Sequence, residues 1–425
     1  MEMKNGQSHQ SYADKELSTL SFNFVIVTLL FIYVLSYPPF VFSVYLPTYV
    51  RLSIEGLILL TLTLVNLQYH YIRNILWFVS LVLVYALVLL IGNDSLLTQA
   101  GSINKFIFLF LVMALLSNNL RMLKISIALW LKFSYLLAWI AIISFVGNIT
   151  NLIPFNPYDL GASINGVEGS YFYLHNPILG NLHPRSLLGI QTGRVAGYMF
   201  EANLLGAFYS LNIVAAKNWI VSEEKRKKFM ILNFLAGLTT LSTSFLIFFS
   251  IYLFVKAGLR EKILSVNLRS IFAVIFGGAF VFFIVFSNFF DQTSGANRLS
   301  RFLIYLDVFS NNTWMSFTFG NGINYMVNNY SIGIDAGWIS LLIERGLLIL
   351  GFWFILAVMI TKHNRWLMFY VLYCHLAINL FWQPLFLLCI SISYAHAKFS
   401  KNMLFKEDIS RSGKFPAYQS NLNPI

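Results

Sequence analysis

Residues 229–255 read FMILNFLAGLTTLSTSFLIFFSIYLFV, and whether they cross an apolar slab once or twice decides the fold. Taken alone, the stretch is long enough for one helix across a hydrocarbon core of ~30 Å. Its flanks argue otherwise. Lys217 and Lys225, Arg226, Lys227 and Lys228 precede it, and Lys256, Arg260, Lys262 and Arg269 follow it. Basic residues concentrate on the cytoplasmic side of membrane segments, so both flanks belong on that side and the chain must enter and return. The stretch is therefore expected to form two short helices that turn at the hydroxyl-rich TTLSTS of residues 239–244. Short helices survive at that depth only when buried among others or beside water.

The rest of the chain supports this setting. Of 425 residues, 58% are hydrophobic and 11% charged, whereas a soluble domain carries about 25% charged residues. Mean hydropathy is +0.69. A net charge of +12 raises the question of nucleic acid, but 21 of the 29 basic residues fall in the predicted cytoplasmic tails and loops, so the charge is a topology signal. Cys374 and Cys389 both lie in apolar segments and read as small core fillers, not a disulfide framework. No cleavable signal peptide is read, because nineteen mostly polar residues precede the first apolar run.

Working outward from 229–255, further apolar runs cover 21–37, 49–67, 73–92, 102–117, 125–147, 195–216, 271–289, 338–360 and 366–381, with a shorter one at 384–397. The expected fold class is all-α: a polytopic integral membrane bundle of about twelve helices spanning 20–401. Tails 1–19 and 402–425 are cytoplasmic and read as disordered. Two long outer loops, 148–194 and 290–337, complete the topology.

Charges on the outer side run against the general bias and need local reasons. In GRVAGYMFEANLLGAFYS (193–210), Arg194 and Glu201 are seven residues apart, which on a helix places them on one face two turns apart. They read either as an ion pair bracing helices or as a charged pocket opening outward. In the second loop, Leu299, Phe302, Leu303 and Leu306 suggest a short amphipathic helix on the outer face. Arg298 and Arg301 can share one side of it, either anchoring to lipid phosphates or binding a substrate's phosphate through arginine's planar fork. Asp335, just before the run at 338–360, reads as a helix N-cap or as a base for an acceptor hydroxyl. Glu344 and Arg345 are adjacent, point in different directions and read as structural. His175 and His183 lack further ligands at metal-binding spacing, so no metal and no cofactor are expected. Gly320 and Gly322 in FGNGINY mark close-packed backbone rather than a nucleotide loop.

Taken in order, these elements resemble the Wzy-type O-antigen polymerases of the O-antigen ligase/polymerase superfamily. The pattern is Arg194 and Gly197 with a polar spot at Glu201–Asn203, then two short helices around TTLSTS. It continues with SGANR bearing Arg298, the Gly320-x-Gly322 pair, and a helix bearing Glu344-x-Gly346. Ligases carry a histidine near the end of the second loop where this chain has Asp335, which favours the polymerase branch. The arginine that the family places at the helical break is absent here, where Phe245 follows Ser244.

The resemblance implies a GT-C-like bundle in a bacterial inner membrane. It would polymerise repeat units for lipopolysaccharide or another surface polysaccharide, with a glycan on undecaprenyl pyrophosphate as donor and a lipid-linked unit as acceptor. Arg194, Arg298 and Arg301 would hold the pyrophosphate, and Glu201 or Asp335 would take the hydroxyl proton. His175, His183 and Glu344 are secondary candidates. Expected partners are membrane lipids, a chain-length regulator and a flippase. Two rivals stand beside this: a ligase that transfers glycan to lipid A-core, and a transporter or lipid-linked-sugar flippase.

Overall fold

The computed structural model describes residues 22–37, 39–40, 42–68, 96–150, 152, 158–163, 171–174, 179–187, 190–260, 295–322, 325–330, 337–374 and 383–411. The predicted spans at 73–92 and 271–289 lie outside them.

Helix α1 runs Phe22–Leu35, followed by a turn of helix α2, Phe42–Tyr45. Next come α3 (Thr48–Gln68), α4 (Leu96–Asn118) and α5 (Leu120–Ile149). Four strands follow: β1 (Tyr158–Ser163), β2 (Tyr171–Leu174), β3 (Asn181–Leu187) and β4 (Ile190–Gly197). Helix α6 covers Ala202–Trp219, α7 Glu223–Thr239 and α8 Thr243–Arg260. Beyond these lie α9 (Gly295–Asn311), α10 (Trp314–Phe319), α11 (Tyr325–Tyr330), α12 (Gly337–Thr361), α13 (Arg365–Cys374) and α14 (Pro384–Arg411).

Among the described residues, three helices are long and apolar enough to cross a membrane: Tyr49–Leu67 within α3, and the whole of α5 and α12. Their outer faces fit that role. Leu57, Leu60, Leu64 and Leu67 of α3 stand exposed, as do Leu136, Trp139, Ile143 and Val146 of α5. Spacings of three and four put each set on one stripe. Meanwhile Asn66 of α3 and Ser126, Ser134 and Ser144 of α5 are buried. Apolar residues outside and polar ones inside reverse the arrangement of a water-soluble bundle and mark a membrane protein.

The stretch at 229–255 is indeed two helices, α7 and α8, separated at Thr240–Ser242. Ser222 caps α7 by accepting from the Lys225 amide, and Glu223 and Glu224 occupy its first turn. Leu241 takes a positive φ of 44° at the break, and the side chains there close the turn on itself. The Thr240 hydroxyl donates to the Gly237 carbonyl at 2.7 Å, and the Ser242 amide donates to Thr240 Oγ1 at 3.3 Å.

Helix α6 sits in the middle. It packs against α5, α7, α8, α13, α14 and β4, and 15 of its 18 residues are buried. A connected polar chain crosses this interior. Trp130 Nε1 donates to Asn212 Oδ1 at 2.8 Å, Asn212 Nδ2 to Asn233 Oδ1 at 2.9 Å, and Asn233 Nδ2 to the Phe229 carbonyl at 2.8 Å. All three side chains are buried. Asn212→Leu keeps the volume but strands the indole N–H and one amide oxygen, so it should cost about 3 kcal/mol. A fall in unfolding midpoint in detergent measures this; an unchanged midpoint means the network contributes nothing.

Three expectations need correction. Loop 148–194 contains two antiparallel hairpins, β1–β2 and β3–β4, which its Asn, Gly and Pro content concealed. The apolar run at 195–216 becomes helical only at Ala202, because Gly197 takes a positive φ of 56° and turns the chain first. Finally, α14 continues to Arg411, so the predicted tail at 402–425 begins as helix. Polar residues propagate a helix that packing has already nucleated.

Candidate functional site

The strand β4 carries Arg194 into the bundle. It pairs with β3 in a register that sets His183 opposite Arg194 and closes the hairpin at Leu187 and Ile190. At its base, the Gly193 amide donates to Asn148 Oδ1 near the end of α5 at 2.9 Å. After Gly197 the backbone meets the segment following α1. The Phe200 amide donates to the Pro39 carbonyl at 2.9 Å, Phe40 bridges to Met199, and the Phe42 and Tyr198 rings stack at 5.3 Å.

Arg194 is half-buried, and two contacts orient its guanidinium. Nε donates to the Thr240 carbonyl at 3.3 Å, and Nη2 donates to Asn203 Oδ1 at 3.0 Å. The same Asn203 oxygen accepts from Ser242 Oγ at 3.1 Å. The strand, the first turn of α6 and the turn between α7 and α8 therefore converge on one arginine. Gly206 permits the approach, since a Cβ there would lie 3.0 Å from Ser242 Cβ and 3.1 Å from Thr240 Oγ1.

The expectation that Arg194 and Glu201 share a helical face is overturned. Arg194 lies on β4, and Glu201 is the N-cap residue of α6, with φ −132° and ψ 143°. The Gly197 turn intervenes. Glu201 is exposed and makes no side-chain cap bond, so the protein itself does not desolvate it. It stands directly after Phe200, beside the Pro39 segment.

A second convergence joins the Gly-x-Gly and Glu-x-Gly elements. Helix α12 breaks at Gly346, where φ is 78° and ψ 173°. The Ile343 and Glu344 carbonyls at that break accept from the Asn321 and Gly322 amides at 2.9 and 3.0 Å. Asn321 Nδ2 adds a bond to the Ile343 carbonyl at 3.1 Å. Glu344 is half-buried and accepts from Ser340 Oγ at 3.2 Å. Arg345, its neighbour, is buried.

Arg298 and Arg301 occupy the first two turns of α9. This helix packs through Tyr305 and Val308 onto Met326 and Ile343. Leu303 and Leu306, from the predicted apolar stripe, are exposed. Asp335 and His175 lie outside the described residues, as do the side chains of Arg298, Arg301 and His183.

Charges inside predicted spans that stand outside the candidates derived from sequence include Arg51, Glu55 and Lys105. Glu55 is 1% exposed and accepts from the Tyr33 and Tyr37 hydroxyls at 3.0 and 2.6 Å. The signal was available, because a charge within an apolar run is costly and tends to face a partner or a cavity. No protein-family model, no curated protein and no solved structure matches the chain.

Proposed function

We propose that the chain is a polysaccharide polymerase of the outer face of a bacterial inner membrane, using lipid pyrophosphate donors. The observation that carries this reading is convergence. Elements recognised only by their order in the sequence meet in space as two groups: Arg194 with Asn203, Thr240 and Ser242, and Gly320–Gly322 with the Glu344–Gly346 break. The distribution of basic residues agrees with the orientation. Arg121, Lys217, Lys225–Lys228, Lys362 and Arg365 lie at helix ends remote from the Thr240 turn, the end assigned to the cytoplasm.

In this reaction the acceptor hydroxyl attacks the anomeric carbon of the donor sugar. The bond from that carbon to the lipid diphosphate oxygen breaks, and the diphosphate carries away the electron pair. Arg194, oriented through its Nε and Nη2 bonds to Thr240 and Asn203, stabilises the charge growing on the departing oxygen. Arg298 and Arg301 are assigned to the same diphosphate. Such donors are worth most when they are aimed before the charge develops. Glu201 or Asp335 removes the hydroxyl proton. Glu201's place between the Arg194 strand and the Pro39 segment favours it.

Purified protein supplied with a lipid-linked repeat unit should produce longer lipid-linked glycans without added nucleotide sugar. No elongation by a folded preparation removes the proposal. Glu201→Gln and Asp335→Asn separate base from brace. The true base should lose at least about 100-fold in turnover with membrane abundance unchanged, while a bracing carboxylate should lower abundance and turnover together.

A further inference from the structure

We infer that the cavity between α6, α7 and α8 holds one acyl chain of an anionic glycerophospholipid, whose phosphate sits beside Arg226 and Lys227. The inference is independent of the polymerase reading and concerns the end of the α7–α8 hairpin remote from the Thr240 turn.

The cavity measures about 220 Å³. Ile213 of α6, Met230, Ile231 and Phe234 of α7, and Phe249 and Tyr252 of α8 line it, with Lys227 completing the wall. Lys227 and Phe234 are seven residues apart, about 10 Å along the helix, so the space runs from the charged end of α7 toward its apolar middle. There the Phe234 and Phe249 rings stack at 4.2 Å. Ile231 both lines the cavity and is 59% exposed, which opens the space sideways to the surface.

Water does not suit this slot. An ordered water needs several polar partners, and the lining offers only the Tyr252 hydroxyl and the Lys227 ammonium. An empty slot forfeits the dispersion contacts of its walls. A hydrocarbon chain entering past Ile231 restores them.

The charge beside the slot decides which lipid enters. Residues 223–228 carry four cations, Lys225, Arg226, Lys227 and Lys228, against two carboxylates, Glu223 and Glu224, a net of +2. Lys227 and Lys228 pair with those carboxylates at 3.0 and 2.6 Å, yet their side chains are 68% and 72% exposed. Arg226 is one turn before Met230 and Lys227 one turn before Ile231, so each shares a face with a residue of the cavity wall. Tyr252, on the facing helix, lies within reach of the Arg226 charge. Basic clusters at the cytoplasmic ends of membrane helices attract anionic headgroups. This cluster also borders a slot for the chain.

The test is lipid retention by the full-length protein, delipidated in detergent and read by native mass spectrometry. Phosphatidylglycerol and phosphatidylcholine with identical chains are added in parallel. The native protein should hold one phosphatidylglycerol tightly, and phosphatidylcholine about 10-fold more weakly. Arg226→Gln and Lys227→Gln should each weaken phosphatidylglycerol about 5-fold. Lys225 instead shares a face with the buried Phe229, which packs on Tyr135 of α5, so Lys225→Gln should leave retention nearly unchanged. Ile231→Trp fills the slot without altering charge and should lose the tightly held lipid. The substituted positions are exposed or half-buried, so the variants should keep the native unfolding midpoint in lipid-free detergent. Equal retention of the two lipids, or native retention by folded Ile231→Trp, overturns the inference. A Lys225→Gln effect as large as the other two also overturns it, by making the attraction a diffuse property of the basic cluster. Absence of any retained lipid on the native protein does the same, and leaves glycan extension at Arg194 untouched.

Discussion

Replacing Arg194 with lysine should cut glycan extension by about 100- to 1,000-fold, while the protein still accumulates in the membrane. The difference in magnitude separates the two roles of this side chain. As a structural strut it donates from Nε to the Thr240 carbonyl and from Nη2 to Asn203 Oδ1. Each such bond contributes about 1 kcal/mol net, and lysine keeps the charge and part of the bonding. As a transition-state donor, its loss costs about 3–4 kcal/mol. Lysine cannot reproduce the fork, because an ammonium presents a point charge rather than a plane with donors fixed at separate angles. Activity should therefore fall far more than abundance. Arg298→Lys should behave similarly if it grips the same diphosphate. The measurement is the length distribution of surface glycan alongside membrane protein level. Polymer of native length from normally abundant Arg194→Lys would remove Arg194 from the chemistry.

How much of this was legible beforehand differs from element to element, for physical reasons. The break at Thr239–Ser244 could be read because basic clusters bracket it and hydroxyls supply the local acceptors and donors that a turn needs. Arg194's true setting could not. Val195, Ala196, Met199 and Phe200 are buried in a strand and a turn, yet by composition they extend the apolar run of α6. Only Gly193 and Gly197 hinted at the boundary. Arg51, Glu55 and Lys105 escaped for the opposite reason, since the surrounding residues satisfied the span count by themselves. Their meaning depends on which helices neighbour one another, and local pattern is silent on that. The meeting of Asn203 with Ser242 and of Gly322 with Glu344 is likewise long-range. Order along the chain suggested those elements belong together, but not which atoms would touch.

Gly346→Ala should strongly destabilise the junction between α12 and the Gly320–Gly322 turn. Gly346 has φ 78° and ψ 173°, a conformation populated essentially by glycine alone and costing of order 1–3 kcal/mol for other residues. Space is closed as well. An added Cβ would lie 2.3 Å from the Thr318 carbonyl oxygen, 2.5 Å from the Gly320 amide nitrogen and 2.6 Å from the Phe319 carbonyl carbon. All three are backbone atoms, so no side chain can swing aside. Alanine must straighten α12 or push the Thr318–Gly322 backbone away. Either outcome breaks the bonds from Asn321 and Gly322 to the Ile343 and Glu344 carbonyls, worth about 1 kcal/mol each. The expected loss is about 3–5 kcal/mol, read as a lower unfolding midpoint in detergent and faster proteolysis within 312–324. Gly351, five residues further along the same helix, supplies the control. A Cβ there meets nothing within 4 Å, so Gly351→Ala should be neutral or gain up to about 1 kcal/mol of helix propensity. Equal midpoints for the two variants would mean that the break in α12 is not seated on the Gly320–Gly322 turn. A low midpoint for Gly346→Ala alone would establish that the break in α12 is seated on the Gly320–Gly322 turn, next to Ile343, on which α9 packs.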